Sequence, residues 1–467
     1  MHDMLRRAAG RTSLHMPGGQ GRAPFGRLNP YRLETTELDA TDDLYRPTGA
    51  IARAQELAAK SAGAAHTMML HGGGTAGVQA MLLYAARRGE TVILPRNAHI
   101  SAIHLCALTG IVPAFAKPDH TPTGRPFTAP ESYLHAMEEH PEAKAVFVVR
   151  PDYYGGLPEL RAIAAEAHAR GMLVLCDEAH GAYFNWDRQA ENAGACGADL
   201  FVQSAHKTLP ALNAGAWLHA MPGVEPERLT RMLRMVQTSS PSFVGLLSLD
   251  DARAWMDSRG AKACDRLRVA LAKFRARAAR LGYVDAQNED GMRYDPLRLA
   301  LYAPQGGFCL GKELAARGID VEMCDERRIV CIVSLMDGRK RLRKLYRAIK
   351  RIERKRLKDG LPPVETNPVK RARSSYPGIS PRVLPLGEAA FAPQEAVALE
   401  EAAGRVSAGQ VGLYPPGIAL LTAGERVTQE MVDYLRGFEP SRLFGINQDG
   451  TLACVCEKET ENGHFPL

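Results

Sequence analysis

The stretch MLVLCDEAHGAYFNWDRQAENAGACGADLFVQSAHKTL, residues Met172–Leu209, decides the fold. It holds two short apolar runs, Met172–Cys176 and Leu200–Gln203. Each gives way at once to polar residues: Asp177-Glu178-Ala179-His180-Gly181 after the first, Ser204-Ala205-His206-Lys207-Thr208-Leu209 after the second. Runs of that length and apolarity read as buried strands. Working outward, Thr67–Leu70, Thr91–Leu94, Ala145–Val149 and Ala216–Leu218 read the same way, with helical stretches at Gly77–Arg88 and Leu160–Arg170 between them. Strand and helix in alternation mean βαβ units and a mainly parallel sheet, an α/β fold. Such sheets place ligands at the carboxyl ends of their strands.

A chain of 467 residues is too long for one compact core, so several domains are expected. Residues 1–60 are rich in Pro, Gly and Arg, show little periodicity and read as an N-terminal arm. Residues 61–245 hold the sheet. Residues 246–358 are mostly helical with a few strands and read as a smaller domain. Asp359–Ser380 is Pro-rich and polar, a linker by composition. Residues 381–467 read as a small appended α+β domain, with helices at Pro393–Ala403 and Thr428–Arg436 and a turn at Pro415-Pro416-Gly417.

The start of the chain leads into polar, Gly-rich sequence, so no secretory signal is expected, and no apolar run approaches bilayer length. Nine cysteines without a CxxC pair suit reduced thiols and a cytoplasmic location, and no metal site is expected. The net charge of +7 arises from one place: Arg339–Lys358 has twelve Lys/Arg and one Glu, leaving −4 for the rest. Leu342, Leu345, Ile349 and Ile352 recur there at helical spacing. That describes an amphipathic helix with a solvated basic face in preference to a nucleic-acid site.

Four strand ends carry candidate chemistry. His71-Gly72-Gly73-Gly74-Thr75-Ala76-Gly77 lies between a strand and a helix, where glycines allow close backbone approach and the helix start favours a phosphate. Alone it reads equally as a tight turn, and it lacks the Gly-Lys-Ser/Thr ending of a P-loop. His99 follows Thr91–Leu94; a lone His there is more often structural. Asp177 ends a buried strand, which is costly unless something positive meets it. Lys207, taken alone, would be a solvated surface residue. Together the four propose a pyridoxal 5′-phosphate (PLP) site. Lys207 supplies the amine for a Schiff base, and Asp177 keeps the pyridine nitrogen protonated. Gly74, Thr75 and Ala76, with Ser204 and His206, cradle the phosphate, and His99 and Ala179 flank the ring.

Several further segments resemble the short bacterial members of the Orn/Lys/Arg decarboxylase family. They are Met16-Pro17-Gly18, Thr36-Glu37-Leu38-Asp39, Asp42–Gly49, Arg96-Asn97-Ala98-His99, Tyr153-Tyr154-Gly155, DEAHGA (Asp177–Ala182), SAHKTLPAL (Ser204–Leu212), Thr238–Phe243, and Leu413–Ile418 with Gly424-Glu425. The resemblance implies an aspartate-aminotransferase-like (fold type I PLP) large domain and the family's C-terminal domain. It implies decarboxylation of a basic amino acid, arginine ahead of lysine and ornithine, feeding polyamine synthesis. Lys207, His206 and His99 would be the catalytic residues, and His180 of DEAHGA a further cofactor contact. Ser240 would reach the cofactor of a neighbouring subunit, so at least a homodimer is expected.

Four positions depart from the family's pattern: Gln20 where Gly-His-Lys is usual, Gly74 in the phosphate turn, Ile100 in place of Lys, and Ala214 in place of the Gln that closes the usual Leu-Thr-Gln. Two other readings stay open on residues alone: aminotransfer or lyase chemistry on the same scaffold, and a non-catalytic relative.

Overall fold

The computed structural model describes residues 11–14, 30–33, 35–37, 41–121, 126–285, 292–360, 377–414 and 417–456. Of the stretches singled out above, Met16–Gln20, Leu38-Asp39, most of the linker and Pro415-Pro416 lie outside the described residues. The chain forms two compact units. One comprises Met1–Met81, Arg150–Leu160 and Cys176–Lys370; the other comprises Leu82–Val149, Arg161–Leu175 and Arg371–Leu467.

Seven strands carry the α/β core: β1 (His66–Leu70), β2 (Thr91–Pro95), β3 (Val112–Ala116), β4 (Ala145–Val149), β5 (Leu173–Asp177), β6 (Leu200–Gln203) and β7 (Ala216–Ala220). Six match the apolar runs within two residues. β3 was not expected, because Pro113 interrupts its apolar run. It is tolerated because β3 lies at a sheet edge, where a missing N–H costs nothing. In the first unit β7 pairs antiparallel with both β1 (Ala216↔Leu70) and β6 (Ala220↔Leu200). In the second, β2 pairs in parallel with β3 and β4. Val146, Phe147 and Val148, like Phe201 and Val202, are wholly buried, as strands covered on both faces require.

Helix α1 (Ala50–Ala62) precedes β1; α2 (Gly73–Ala85), α3 (Ile100–Thr109), α4 (Leu160–Ala169) and the single turn α5 (Ala205–Thr208) follow β1, β2, β4 and β6. The first corrects the expectation of little periodicity through residue 60. Its inward stripe, Ile51, Ala58, Ala59 and Ala62, is mostly alanine and so nearly invisible as a hydrophobic pattern. The Asp42 carboxylate fixes its start by accepting N–H bonds from Thr48, Gly49 and Ile51 at 2.9 Å each.

The first unit continues with α6 (Phe243–Ala279), begun by Ser242, whose hydroxyl accepts from the Gly245 N–H at 3.2 Å. Leu246, Leu249, Met256, Gly260, Cys264, Leu267, Leu271, Phe274 and Ala278 mark one buried stripe along its ten turns. A three-stranded antiparallel sheet follows, made of β8 (Arg298–Tyr302), β9 (Met323–Cys324) and β10 (Arg328–Ile332) in the order β8–β10–β9. Then comes α7 (Gly338–Lys358), whose buried side is Leu342, Leu345, Ala348, Ile349 and Ile352, packed against α6. The basic stretch is thus an amphipathic helix, as its spacing predicts.

The second unit contains β11 (Gln394–Ala398), α8 (Gln429–Arg436, capped by Thr428) and β12 (Thr451–Val455). Here a sequence expectation fails. Pro393–Ala403 is not a helix but β11 plus one 3-10 turn, because antiparallel pairing of Gln394–Ala398 with Thr451–Val455 overrides the helix propensity of its Ala and Glu residues. Buried Arg96, just past β2, meets buried Glu425 through two parallel bonds of 2.9 and 2.5 Å, each side chain 1% exposed. Arg382 approaches the same carboxylate at 3.4 Å. All nine cysteines are free thiols, and no described helix is long and apolar enough to cross a membrane.

Candidate active site

The carboxyl ends of β1, β5 and β6 bring together most of the residues singled out in the first unit. After β1 the chain turns through Gly73, whose φ of +69° suits glycine and whose N–H donates to the Ala214 carbonyl at 2.9 Å. Gln237 holds the turn from the other side, its Oε1 accepting from the His71 and Gly72 N–H groups at 3.1 Å. Gly74 is required by close approach: a Cβ there would lie 2.6 Å from the Ser204 hydroxyl and 3.9 Å from Ala179 Cβ. Thr75 is exposed and Ala76 buried in the first turn of α2, where N–H groups beyond that of Gly73 have no carbonyl of their own helix to meet and suit an anion.

Asp177, the last residue of β5, is buried and accepts from the Ala179 N–H at 3.0 Å. Behind it runs a polar network. Glu178 accepts from Arg150 at 3.2 Å and from Gln203 at 2.7 Å. Gln203 accepts in turn from Asn185 and meets His219 Nε2 at 3.1 Å, and His219 Nδ1 meets Thr67 at 2.7 Å. Burial lowers the His219 pKa to about 3, so this imidazole is neutral, with its Nε2 proton toward Gln203. Burial also lifts Glu178 to about 8 and outweighs the opposing pull of Arg150 and Gln203.

Ser204, buried, follows β6 and leads into α5, which carries His206 and Lys207. The Lys207 amine sits 3.2 Å from His180 Nε2. Burial pushes its pKa down; the Asp177 and Glu322 carboxylates oppose that, and the Arg298 cation adds to it. A lysine held toward its neutral form is a nucleophile at lower pH than a free one. His206 Nδ1 bonds the Gly215 carbonyl at 2.9 Å, which leaves Nε2 as the acceptor of a neutral ring; burial lowers this pKa too. Tyr153 packs its edge on His180, ring centroids 5.3 Å apart, and donates to Glu322 at 2.6 Å.

His99 belongs to the second unit, where its Nδ1 caps α3 by accepting from the Ser101 N–H at 3.2 Å and meets the Ser101 hydroxyl at 2.8 Å. Ser240 is exposed in the loop before α6, its N–H donating to Thr238 Oγ1 at 3.2 Å. Gln237, Arg298 and Glu322 escaped the sequence reading. None follows one of the strands that drew notice; Gln237 stands one residue before the Thr238–Phe243 segment, and no motif surrounds Arg298 or Glu322.

Residues 28–288 match the family model for the Orn/Lys/Arg decarboxylase major domain, and residues 388–443 match its C-terminal domain. The chain belongs to the Orn/Lys/Arg decarboxylase family. This family member is 35% identical over 435 residues to the uncharacterized protein YaaO of Bacillus subtilis, covering 89% of this chain and 86% of that protein. It is 29% identical to the arginine decarboxylase of B. subtilis and 30% to that of Halalkalibacterium halodurans, covering 91% of this chain and 90% of either relative. Its fold is that of the fold type I PLP enzymes. The constitutive lysine decarboxylase of Escherichia coli superposes with a TM-score of 0.74 at 20% identity, over 88% of this chain and 73% of that one. Lysine decarboxylase A of Pseudomonas aeruginosa gives 0.75 at 20%, over 91% and 74%. The Orn/Lys/Arg decarboxylase assignment makes the protein an enzyme of the decarboxylase class.

Proposed function

We propose that the protein is a PLP-dependent decarboxylase of a basic amino acid, arginine ahead of lysine and ornithine, with Lys207 as the cofactor's attachment point. The observation that carries this reading is the buried Lys207 amine just after β6, 3.2 Å from His180 Nε2 and within electrostatic reach of the Asp177 carboxylate that ends β5. The residues fit the cofactor on structural grounds. The space that a Cβ on Gly74 would fill, facing Ser204, suits a phosphate oxygen next to the start of α2.

When bound, PLP supplies an electron sink for the pair left behind when the Cα–carboxylate bond breaks. This chain's residues do the rest. Asp177 holds a proton on the cofactor's ring nitrogen. Gly74, Thr75, Ala76 and Ser204 bind the phosphate. Ala179 and His99 would flank the ring, and His180 would hold the lysine amine while substrate displaces it. The Lys207 amine, or His206 Nε2 once it has taken up a proton, would return a proton to Cα. Ser240 is assigned to a neighbouring subunit's site in a homodimer. The similarity to two arginine decarboxylases supports arginine, and a cytoplasmic role in polyamine synthesis goes with it.

The test is incubation of the protein and PLP with arginine, lysine and ornithine in turn, measuring CO₂ and amine. Equimolar CO₂ and agmatine from arginine, abolished in Lys207→Ala, is the expected result. Formation of a keto acid without CO₂ would replace decarboxylation with aminotransfer.

A further inference from the structure

The C-terminal segment Gly424-Glu425 has no part in the roles above, and the structure places it on the residues that lead to His99. Glu425 is buried and meets the equally buried Arg96 through two parallel bonds. The same guanidinium donates to the Leu420 carbonyl at 2.9 Å and lies over the Phe115 ring, 4.4 Å from its centroid. Glu425 is itself fixed. Its Oε2 accepts from the Thr422 N–H at 2.9 Å, and Arg382 approaches its Oε1 while also donating to Thr422 Oγ1 at 2.8 Å. All of these residues, and His99, belong to the second unit.

Arg96 stands three residues before His99. Between them the Ala98 N–H closes a turn on the Pro95 carbonyl at 3.0 Å, with Ala98 buried and His99 exposed at its end. His99 Nδ1 then ties its ring to the start of α3 through Ser101. The C-terminal segment reaches α3 as well. Its short helix Leu386–Phe391 packs there so closely that a Cβ on Gly387 would lie 2.5 Å from the Ala107 carbonyl oxygen. Both the residue before the turn and the helix after it are thereby held by the far end of the chain. A buried ion pair is a poor device for stability alone, since apolar side chains of like volume do as well. What a two-bond fork adds is a fixed orientation.

We propose that Glu425, acting through Arg96, is a positioning residue that fixes the turn ending in His99 and so sets the His99 ring for the cofactor. This rests on the reading of His99 as a residue that flanks the ring of PLP. Glu425 need not touch the cofactor itself. Its carboxylate holds the guanidinium, the guanidinium holds the backbone at Arg96, and the turn carries that constraint to His99. With the pair broken the His99 ring samples other orientations, and binding must then order it, at a cost in affinity.

The experiment has two arms, each on the full chain, with thermal unfolding of every variant alongside. In the first, hydrogen exchange is measured on the protein without PLP. Glu425→Gln should raise exchange by about tenfold or more at Ala98–Ala102, the factor for a lost charge-assisted bond, and leave β6 as in wild type. In the second, PLP affinity is read from the absorbance of the bound cofactor for Glu425→Gln, His99→Ala and the double variant. Glu425→Gln should weaken PLP by about two- to tenfold, the range for a ring contact, and should do nothing further in a chain that already lacks the His99 ring. Glu425→Asp, which keeps the charge but not the reach, should show the same pattern in smaller measure, and it gives the answer by itself if the Gln variant does not fold. Unchanged exchange near His99 in a folded variant overturns the proposal. So does an equal loss of PLP with and without the His99 ring, which marks a pair that only holds the fold together. A His99→Ala variant that binds PLP as wild type does would instead sink the ring-flanking reading, while the exchange arm, which needs no cofactor, still decides whether Glu425 fixes the turn.

Discussion

Glu178 is the residue whose environment asks most of the fold. It is fully buried one position after Asp177, and its carboxylate is shared between Arg150 and Gln203. Because burial raises its folded-state pKa to about 8, above the ordinary carboxylate value of about 4.3, its contribution to stability is complete below the lower value and fades as pH rises through the upper one. The urea midpoint of the wild type should therefore fall from about pH 4 to about pH 8 and level off above it, and fall less in Glu178→Gln, which has no charge to bury. Glu178→Ala removes the acceptor altogether and leaves Arg150 buried without its partner, at a cost of about 3–5 kcal/mol in the same titration. An identical pH slope in wild type and Glu178→Gln would show that Arg150 keeps the carboxylate ionised throughout. At this scale the sequence was partly legible. Asp177 and Lys207 could be found because each sits directly after an apolar strand, a position visible within ten residues. Arg298 and Glu322 could not, because their nearness to Lys207 depends on strands some ninety or more residues further along the chain.

Elements were legible to the extent that one hydrophobic period ran through them undisturbed. In α7 the Leu342–Ile352 spacing predicted the buried face because leucine and isoleucine mark it against a basic background. The alanine stripe of α1 carried too little contrast, and the alanine and glutamate of Gln394–Ala398 favoured a helix that strand pairing overrode. The long helix α6 offers the sharpest test of that logic. Leu267 and Leu271 lie on its buried stripe, whereas Val269, between them, is 56% exposed. Leu271→Ala should destabilise by about 2–5 kcal/mol through lost burial and a residual cavity, whereas Val269→Ala should stay within about 0.5 kcal/mol. Denaturant unfolding measures both. Equal effects would mean that α6 does not bury the face its periodicity assigns.

At the scale of the whole molecule the question is whether one chain makes a complete site. The ends of β1, β5 and β6 belong with Lys207 to one unit of a single chain, but Ser240 stands exposed in its loop, where its N–H donates to its own Thr238. A surface loop that its own chain does not bury is free to serve a second copy, and a twofold dimer would make that service mutual, each loop completing the partner's site. The consequence is genetic as much as structural. Lys207→Ala disables the site that contains it; Ser240→Trp, by filling the loop, disables the site across the interface. If loop and lysine act in different chains, each homodimer is inactive, while a mixed dimer has one site with both defects and one with neither. Random mixing after unfolding and refolding makes half the dimers mixed, so activity should return to about a quarter of the wild-type value. If loop and lysine serve the same chain's site, every site in every mixture carries one defect or the other, and no activity returns. Light scattering on the same samples checks that dimers are present, so a null result can be assigned to the loop and not to failed assembly.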